Sequence, residues 1–223
     1  MTVGRIAAVV LCGGRSSRLG GVPKAGLMVD GQTLLARTVD AARHALGTPG
    51  GTGAQRGETA QGGIVVVGPV ESAARWLGEA AQDVVLVQED PPFGGPAAGI
   101  AAGLAGLEAG DERDFAYVLV LACDMIGAAA LAEALVVALD GCDPDVGVMV
   151  EDDGRKQPLA GIYSLGALQE AVDAARSAGM LVNASVFSLL ANVKTKECIV
   201  PAGLSADIDT WDDARRHGIP APQ

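Results

Sequence analysis

Residues Ile6–Leu11 read IAAVVL and run straight into a glycine-rich loop, Cys12–Gly21. A segment apolar at every position, rather than at every second one, has no face to offer water. It suits a strand buried on both sides. Burial on both sides requires helices above and below the sheet, which commits the chain to an α/β layout. The downstream pattern agrees. The spacing predicts a helix over Thr33–Ala45, strand Ile64–Val67, helix Glu71–Glu79, strand Val84–Val87 and helix Ala97–Ala109. It then predicts strand Tyr117–Leu121, helix Ala128–Leu139 and strand Val146–Val150. Strands alternating with helices make βαβ units, with right-handed crossovers and a mainly parallel sheet. The last third is less regular. A strand at Leu159–Tyr163 precedes helices Leu165–Ser177 and Ala184–Leu190, a short strand near Cys198–Val200 and a helix from about Trp211. Residues 47–63, GTPGGTGAQRGETAQGG, lack large apolar anchors and read as an exposed loop, of which residues 48–62 are expected to be mobile without ligand and cut first at Arg56. No segment is long enough to serve as an interdomain linker, so residues 1–223 are expected to form a single domain.

Composition narrows the function. Apolar residues make up 49% of the chain, enough to build a full core. The net charge of −11 and the 3% aromatic content argue against broad binding to nucleic acid or anionic membrane. The apolar stretch Met125–Leu139 is broken by Glu133 and falls short of the ~18 residues a membrane span needs. Cys12, Cys123, Cys142 and Cys198 show no CxxC spacing and no secretory pattern precedes them. They are expected to be reduced, mostly buried thiols in a cytoplasmic protein. The sequence carries no signal for oligomeric state.

The strongest chemical signal is LCGGRSSRLGGVPKAGL, Leu11 to Leu27. It follows a buried strand, at the sheet edge where open α/β sheets bind ligands. Glycines let backbone N–H groups approach a base or phosphate, and Arg15, Arg18 and Lys24 concentrate three cations in an acidic chain. That suits a polyanionic phosphate ligand. Neither GxGxxG nor GxxxxGK[ST] is present. Asp124 ends the strand AYVLVLACD, where a carboxylate can hold Mg²⁺ beside substrate phosphates; the competing role is a cap for the helix near Ala128. In QEDPPFGGPAAGI, a glycine-proline turn opens a small-residue helix whose free N–H groups can meet a ligand, with Asp90 as an acceptor for base or ribose. In ADIDTWDDA, Thr210 and Asp213 form a capping pattern, and Asp207 or Asp209 offers a second metal ligand. His44 and His217 are not a metal-spaced pair, and there is no GxSxG.

These motifs, with LACDM, QPLAGIY and DIDTWDD, occur in the order in which they occur in the MobA-like nucleotidyltransferases, and the chain resembles that family from Ile6 to about Ala214. The likeness is greatest to the molybdenum cofactor guanylyltransferases. The resemblance implies a three-layer Rossmann-like domain and Mg²⁺-dependent transfer of GMP from GTP to molybdopterin, or to a related phosphorylated acceptor, with loss of pyrophosphate. By position it implies that Leu11, Cys12, Gly13 and Gly14 hold the nucleotide, that Lys24 meets its phosphates, that Asp90 and Gly95 contact the nucleoside and that Asp124 binds metal, with Asp209 a second ligand. Gly68 falls where relatives bear a small polar nucleotide contact, so any contact there must come from backbone. Two departures stand out. Met125 is followed by Ile126 where many relatives have proline, and Asn183–Val193 lacks the arginines that would hold an acceptor phosphate. Gly13-Gly14, where cytidylyl relatives more often carry Ala-Ala-Gly, points to GTP over CTP. Competing readings are cytidylyl transfer to the same pterin, guanylyl transfer to phospholactate, or nucleotide binding without turnover.

Overall fold

The structure, a computed structural model, describes residues 5–14, 16–47, 63–109 and 115–220. The expected loop at 48–62, with its cleavage site at Arg56, and the expected ligand contact of Arg15 lie outside the described residues. In chain order the elements are β1 (Arg5–Leu11), β2 (Met28–Val29), β3 (Gln32–Thr33), α1 (Leu34–Gly47), β4 (Ile64–Val67), α2 (Val70–Leu77), β5 (Val85–Val87) and α3 (Pro96–Glu108). There follow β6 (Phe115–Ala122), α4 (Ala128–Leu139), β7 (Gly147–Asp152), β8 (Arg155–Ser164), α5 (Leu165–Ser177), α6 (Val186–Leu189), β9 (Thr195–Val200) and α7 (Trp211–Arg216).

Seven strands form one sheet in the order β5-β4-β1-β6-β8-β7-β9. All run in the same direction except β8, which is antiparallel to both its neighbours. The mainly parallel sheet expected from the sequence is therefore present. The reversal at β8 comes from a tight turn, Asp153-Gly154, in which both residues have positive φ (49° and 73°). That is the conformation an Asp-Gly hairpin turn adopts. A second Asp-Gly turn, Asp30-Gly31, closes the small β2–β3 hairpin. Neither hairpin was expected from the hydrophobic periodicity, because their strand ends are short or polar.

β1 shows why a continuous apolar run is needed. Ile6, Ala8 and Val10 face a core shared with α1, α2 and α4, whereas Ala7, Val9 and Leu11 face one shared with α3, α5 and α6. Helices thus cover both faces, giving three layers. α3 packs close to the sheet through Gly99, Gly103 and Gly106. A Cβ at Gly106 would lie 2.9 Å from a Val65 methyl, and one at Gly103 would overlap Val9. The small-residue pattern is therefore a packing device, and it carries the N-terminus of α3 to the carboxyl edge of the sheet.

The chain leaves β1 towards β4 and β5 and returns through α3 to β6 on the other side of β1. The carboxyl ends of β1 and β6 therefore flank the point where strand order reverses, the preferred ligand position in open α/β sheets. Among the described residues, no helix is long and apolar enough to cross a membrane.

Candidate active site

The loop after β1 and the loop after β6 are tied at their roots. The Cys12 N–H donates to Val67 O (2.8 Å), and the Cys123 N–H donates to Leu11 O (3.0 Å). Lys24 lies in a short 3-10 turn, Lys24–Gly26, with its N–H donating to Ser16 Oγ (3.3 Å). Its ammonium donates to Asp124 Oδ2 at 2.9 Å and also to Asp209 Oδ1. Arg18 reaches the other oxygen of Asp209 at 2.7 Å. Two cations of the glycine-rich loop thus meet carboxylates from β6 and from the far end of the chain.

The C-terminal segment arrives there by strand-like pairing. Ile126 N–H donates to Ala206 O (3.3 Å), Ile208 N–H donates to Asp124 O (3.1 Å), and Met125 bridges Asp207. Ile208 is fully buried in a third small core with Leu19, Leu27, Val29, Leu34, Ala214 and Ile219. Alternation in extended backbone then turns its neighbours Asp207 and Asp209 together towards Asp124. One oxygen from each of Asp124, Asp207 and Asp209 lies within 4.8 Å of the others.

The field in this cluster is uneven. For Lys24, burial pulls the ammonium pKa down, but Asp124 and the hydrogen bonds to Asp209 and Asp124 outweigh it and the net shift is upward. The hydrogen bond from Lys24 holds Asp209 below the ordinary carboxylate value. Asp207 goes the other way, raised by burial and then by the charges of Asp124 and Asp209. An all-carboxylate set of this kind fits a hard divalent cation such as Mg²⁺ or Mn²⁺, and the ammonium already drawn between two of its members shows that a cation is favoured there.

The acidic segment is anchored from beneath by Asp152, at the end of β7. Its carboxylate is buried and accepts from Gly203 N–H (2.8 Å), Ser205 N–H (2.8 Å) and Ser205 Oγ (2.7 Å). These bonds, the Ser205 hydroxyl first, lower its pKa. A carboxyl group whose pKa falls on folding stabilises the fold above its ordinary value near 4, and loses that contribution as pH falls through the lowered one. Asp152→Ala is expected to cost about 2–4 kcal/mol at pH 7, since three donors lose their acceptor. Its stability should also fall less steeply than wild type below about pH 4. Urea titrations across that pH range check both expectations; equal slopes would remove Asp152 from the acid response.

Between these loops lies a cleft of about 880 Å³. Leu11, Cys12, Gly13, Gly14, Lys24, Gly95 and Asp124, all expected ligand contacts, line it. Gly95 caps α3 with φ 91°, a conformation suited to glycine, and no side chain caps the first turn of α3. The open helix end therefore faces the cleft with its positive dipole. Asp209 stands in the acid cluster, and Arg18 pairs with it. Gly68 and Asp90 do not line the cleft. A Cβ at Gly68 would lie 2.5 Å from Cys12 Sγ, so its role is to let the first loop pack against β4. Asp90 is exposed, whereas Glu89, one residue earlier, is buried in the cleft wall. Glu89 Oε1 accepts from Phe93 N–H (3.1 Å), and its carboxylate lies 3.6 Å from where a Cβ on Gly13 would be. Sequence reasoning passed over Glu89 and the Trp76 and Ser72 wall, and it offered Asp207 and Asp209 as alternatives where the structure brings both to Asp124.

The competing role of Asp124 is closed by the geometry. Asp124 does not cap α4, whose N-cap is Gly127. The Cys12 thiol pKa is pushed up to about 12, by burial first and then by Glu89, so this cleft cysteine stays protonated at neutral pH. The expected capping of α7 is present, with Thr210 and Asp213 forming a reciprocal box.

A glycine-rich cationic loop facing an acid cluster across a strand-order switch is the layout of an α/β protein that handles a phosphorylated ligand. More specifically, residues 8–188 match the model of the MobA-like NTP transferase domain, and the chain belongs to that nucleotidyltransferase family. No curated protein matches the sequence. Solved structures share the fold. Molybdopterin-guanine dinucleotide biosynthesis protein A from Archaeoglobus fulgidus is 21% identical, with a TM-score of 0.58 over 94% of this chain and 95% of that one. The 2-C-methyl-D-erythritol 4-phosphate cytidylyltransferase of Francisella tularensis is 14% identical, with a TM-score of 0.62 over 96% and 98%. Rv0371c of Mycobacterium tuberculosis, solved in complex with manganese, is 20% identical, with a TM-score of 0.62 over 97% and 98%.

Proposed function

We propose that this protein is a cytoplasmic guanylyltransferase that moves GMP from GTP to molybdopterin and releases pyrophosphate. The observation that carries this reading is one cleft that joins the Lys24–Asp124 pair to a buried carboxylate, Glu89, beside Gly13. The first pair suits the triphosphate. The second suits guanine, whose N1–H and exocyclic amine form a donor edge that a carboxylate can accept as a pair. Cytosine presents one amine beside an acceptor nitrogen, which a carboxylate repels. The likeness to an archaeal molybdopterin-guanine dinucleotide biosynthesis protein supports the acceptor.

Asp124 would hold the metal, with Asp209 and Asp207 beside it. When bound, a divalent cation supplies charge neutralisation on the phosphates. The chain's own groups do the rest. Lys24 pairs with the phosphates and stabilises charge on the leaving pyrophosphate, with Arg18 near at hand. The backbone of Leu11 to Gly14 and the α3 N-terminus orient the nucleotide. A phosphate oxygen of the acceptor forms the new bond to the α-phosphorus, and the bond from that phosphorus to the α–β bridging oxygen breaks. The electron pair leaves on pyrophosphate. No side chain need take a proton, because the attacking phosphate is already ionised.

One observation leaves room for a second acceptor. Met180–Val193 contains no charged residue, and Asn183 packs against the Gly94-Gly95 turn at the cleft (Asn183 N–H to Gly94 O, 2.7 Å). This segment offers no cation to an acceptor phosphate, so it does not select molybdopterin over another phosphorylated acceptor such as phospholactate. Incubation with GTP or CTP, Mg²⁺ and each acceptor, read as pyrophosphate and adduct, separates the readings. GTP with molybdopterin is expected to give product. Product only with phospholactate would replace the acceptor, and product only with CTP would replace the nucleotide.

A further inference from the structure

We propose that Lys24 is a placeholder for the metal: its ammonium occupies the carboxylate cluster until a nucleotide draws it away, so that cation binding depends on nucleotide binding. This rests on the reading of Asp124 and Asp209 as metal ligands. Lys24 Nζ bonds both of them, at 2.9 Å to Asp124, inside a group whose oxygens lie within 4.8 Å of one another. Mg²⁺ needs its oxygens at about 2.0–2.1 Å. The space between these two carboxylates therefore admits one cation, an ammonium or a metal.

The surroundings allow the exchange without refolding. The Lys24 main chain is fixed by its 3-10 turn and by Ser16, while the ammonium rides on a flexible four-carbon stem. Arg18 holds Asp209 through Oδ2, the oxygen Lys24 does not use, so Asp209 keeps a cationic partner after Lys24 departs. Asp124 is held through its backbone carbonyl by Ile208 N–H, independently of its side chain. A triphosphate in the cleft offers Lys24 a competing anionic partner. Metal and nucleotide then favour one another, and by linkage each raises the other's affinity by the same factor, typically 5–150-fold.

The test is Mn²⁺ binding to the full chain without nucleotide, followed by the electron paramagnetic resonance of free Mn²⁺, with thermal melting as the fold control. Lys24→Met is expected to bind Mn²⁺ roughly 5–150-fold more tightly than wild type. Lys24→Arg, which keeps the charge, should stay near wild type, and Lys24→Met with Asp124→Asn should lose the gain. Lys24→Gln replaces Lys24→Met if the latter fails to melt cooperatively. Lys24→Met and Lys24→Gln binding no more tightly than wild type, while Asp124→Asn still weakens Mn²⁺ binding, would overturn the placeholder and leave the metal site standing. Mn²⁺ binding unaffected by Asp124→Asn in every background would overturn the metal reading and the placeholder with it.

Discussion

Asp124→Asn is expected to lower Mg²⁺-dependent pyrophosphate release by at least about 100-fold, equivalent to about 3 kcal/mol of transition-state stabilisation. The amide keeps the shape of the side chain but not the charge that holds a cation against phosphate. The fold should survive. The structural role of Asp124 runs through its backbone carbonyl, which accepts from Ile208 N–H, and α4 is capped by Gly127 instead. The lost ion pair with Lys24 is partly solvated, so the cost is about 1 kcal/mol and the melting temperature should fall by only about 2–4 °C. Asp209→Asn is the internal comparison. Asp209 is more exposed than Asp124 and already paired with Arg18, so a smaller loss, about 10-fold, is expected. A near-normal rate and melting point for Asp124→Asn would refute both the metal role and the reaction.

Glu89→Gln is expected to weaken GTP binding by about 10–100-fold, because a well-placed pair of hydrogen bonds to a base edge is worth about 1–3 kcal/mol, and to strengthen CTP binding, because the amide no longer repels the acceptor nitrogen of cytosine. The amide oxygen can still accept from Phe93 N–H, which preserves the loop. Its NH₂ would then face the donors of guanine. Calorimetric titration of both proteins with both nucleotides reads the difference. Equal GTP affinity in the two proteins removes Glu89 from base recognition, and tighter CTP than GTP binding by the wild type removes the guanine assignment altogether.

The alternation of apolar runs with helical spacing was enough to place β1, β4 and β6, and the bounds of α4 and α5 are those the spacing predicts. Local patterns of this kind are legible because burial on one or two faces dictates residue type at a period set by the backbone. The Asp30-Gly31 and Asp153-Gly154 turns were equally local signals, but they join strands too short or polar for periodicity to register. Asp124 could be singled out because it sits just past a strand at the ligand edge, and Lys24 because it closes a glycine-rich cationic motif that follows one.

Glu89 and the acid cluster depended on contacts distant in sequence. Glu89 and Asp90 are adjacent carboxylates in one turn, and only the packing of that turn against Gly13 decides which is buried in the cleft and which faces water. Asp207 and Asp209 lie more than eighty residues beyond Asp124, in a segment whose sequence reads first as a helix cap. Their convergence requires Ile208 to bury in the third core and Asp152 to hold the Gly203–Ser205 turn. The sequence by itself determined the layers, the parallel edge and the cationic loop, because these follow from period and local backbone freedom. Only the tertiary structure decided which carboxylates share a site, because that depends on which distant side chains the closed core leaves facing the same space.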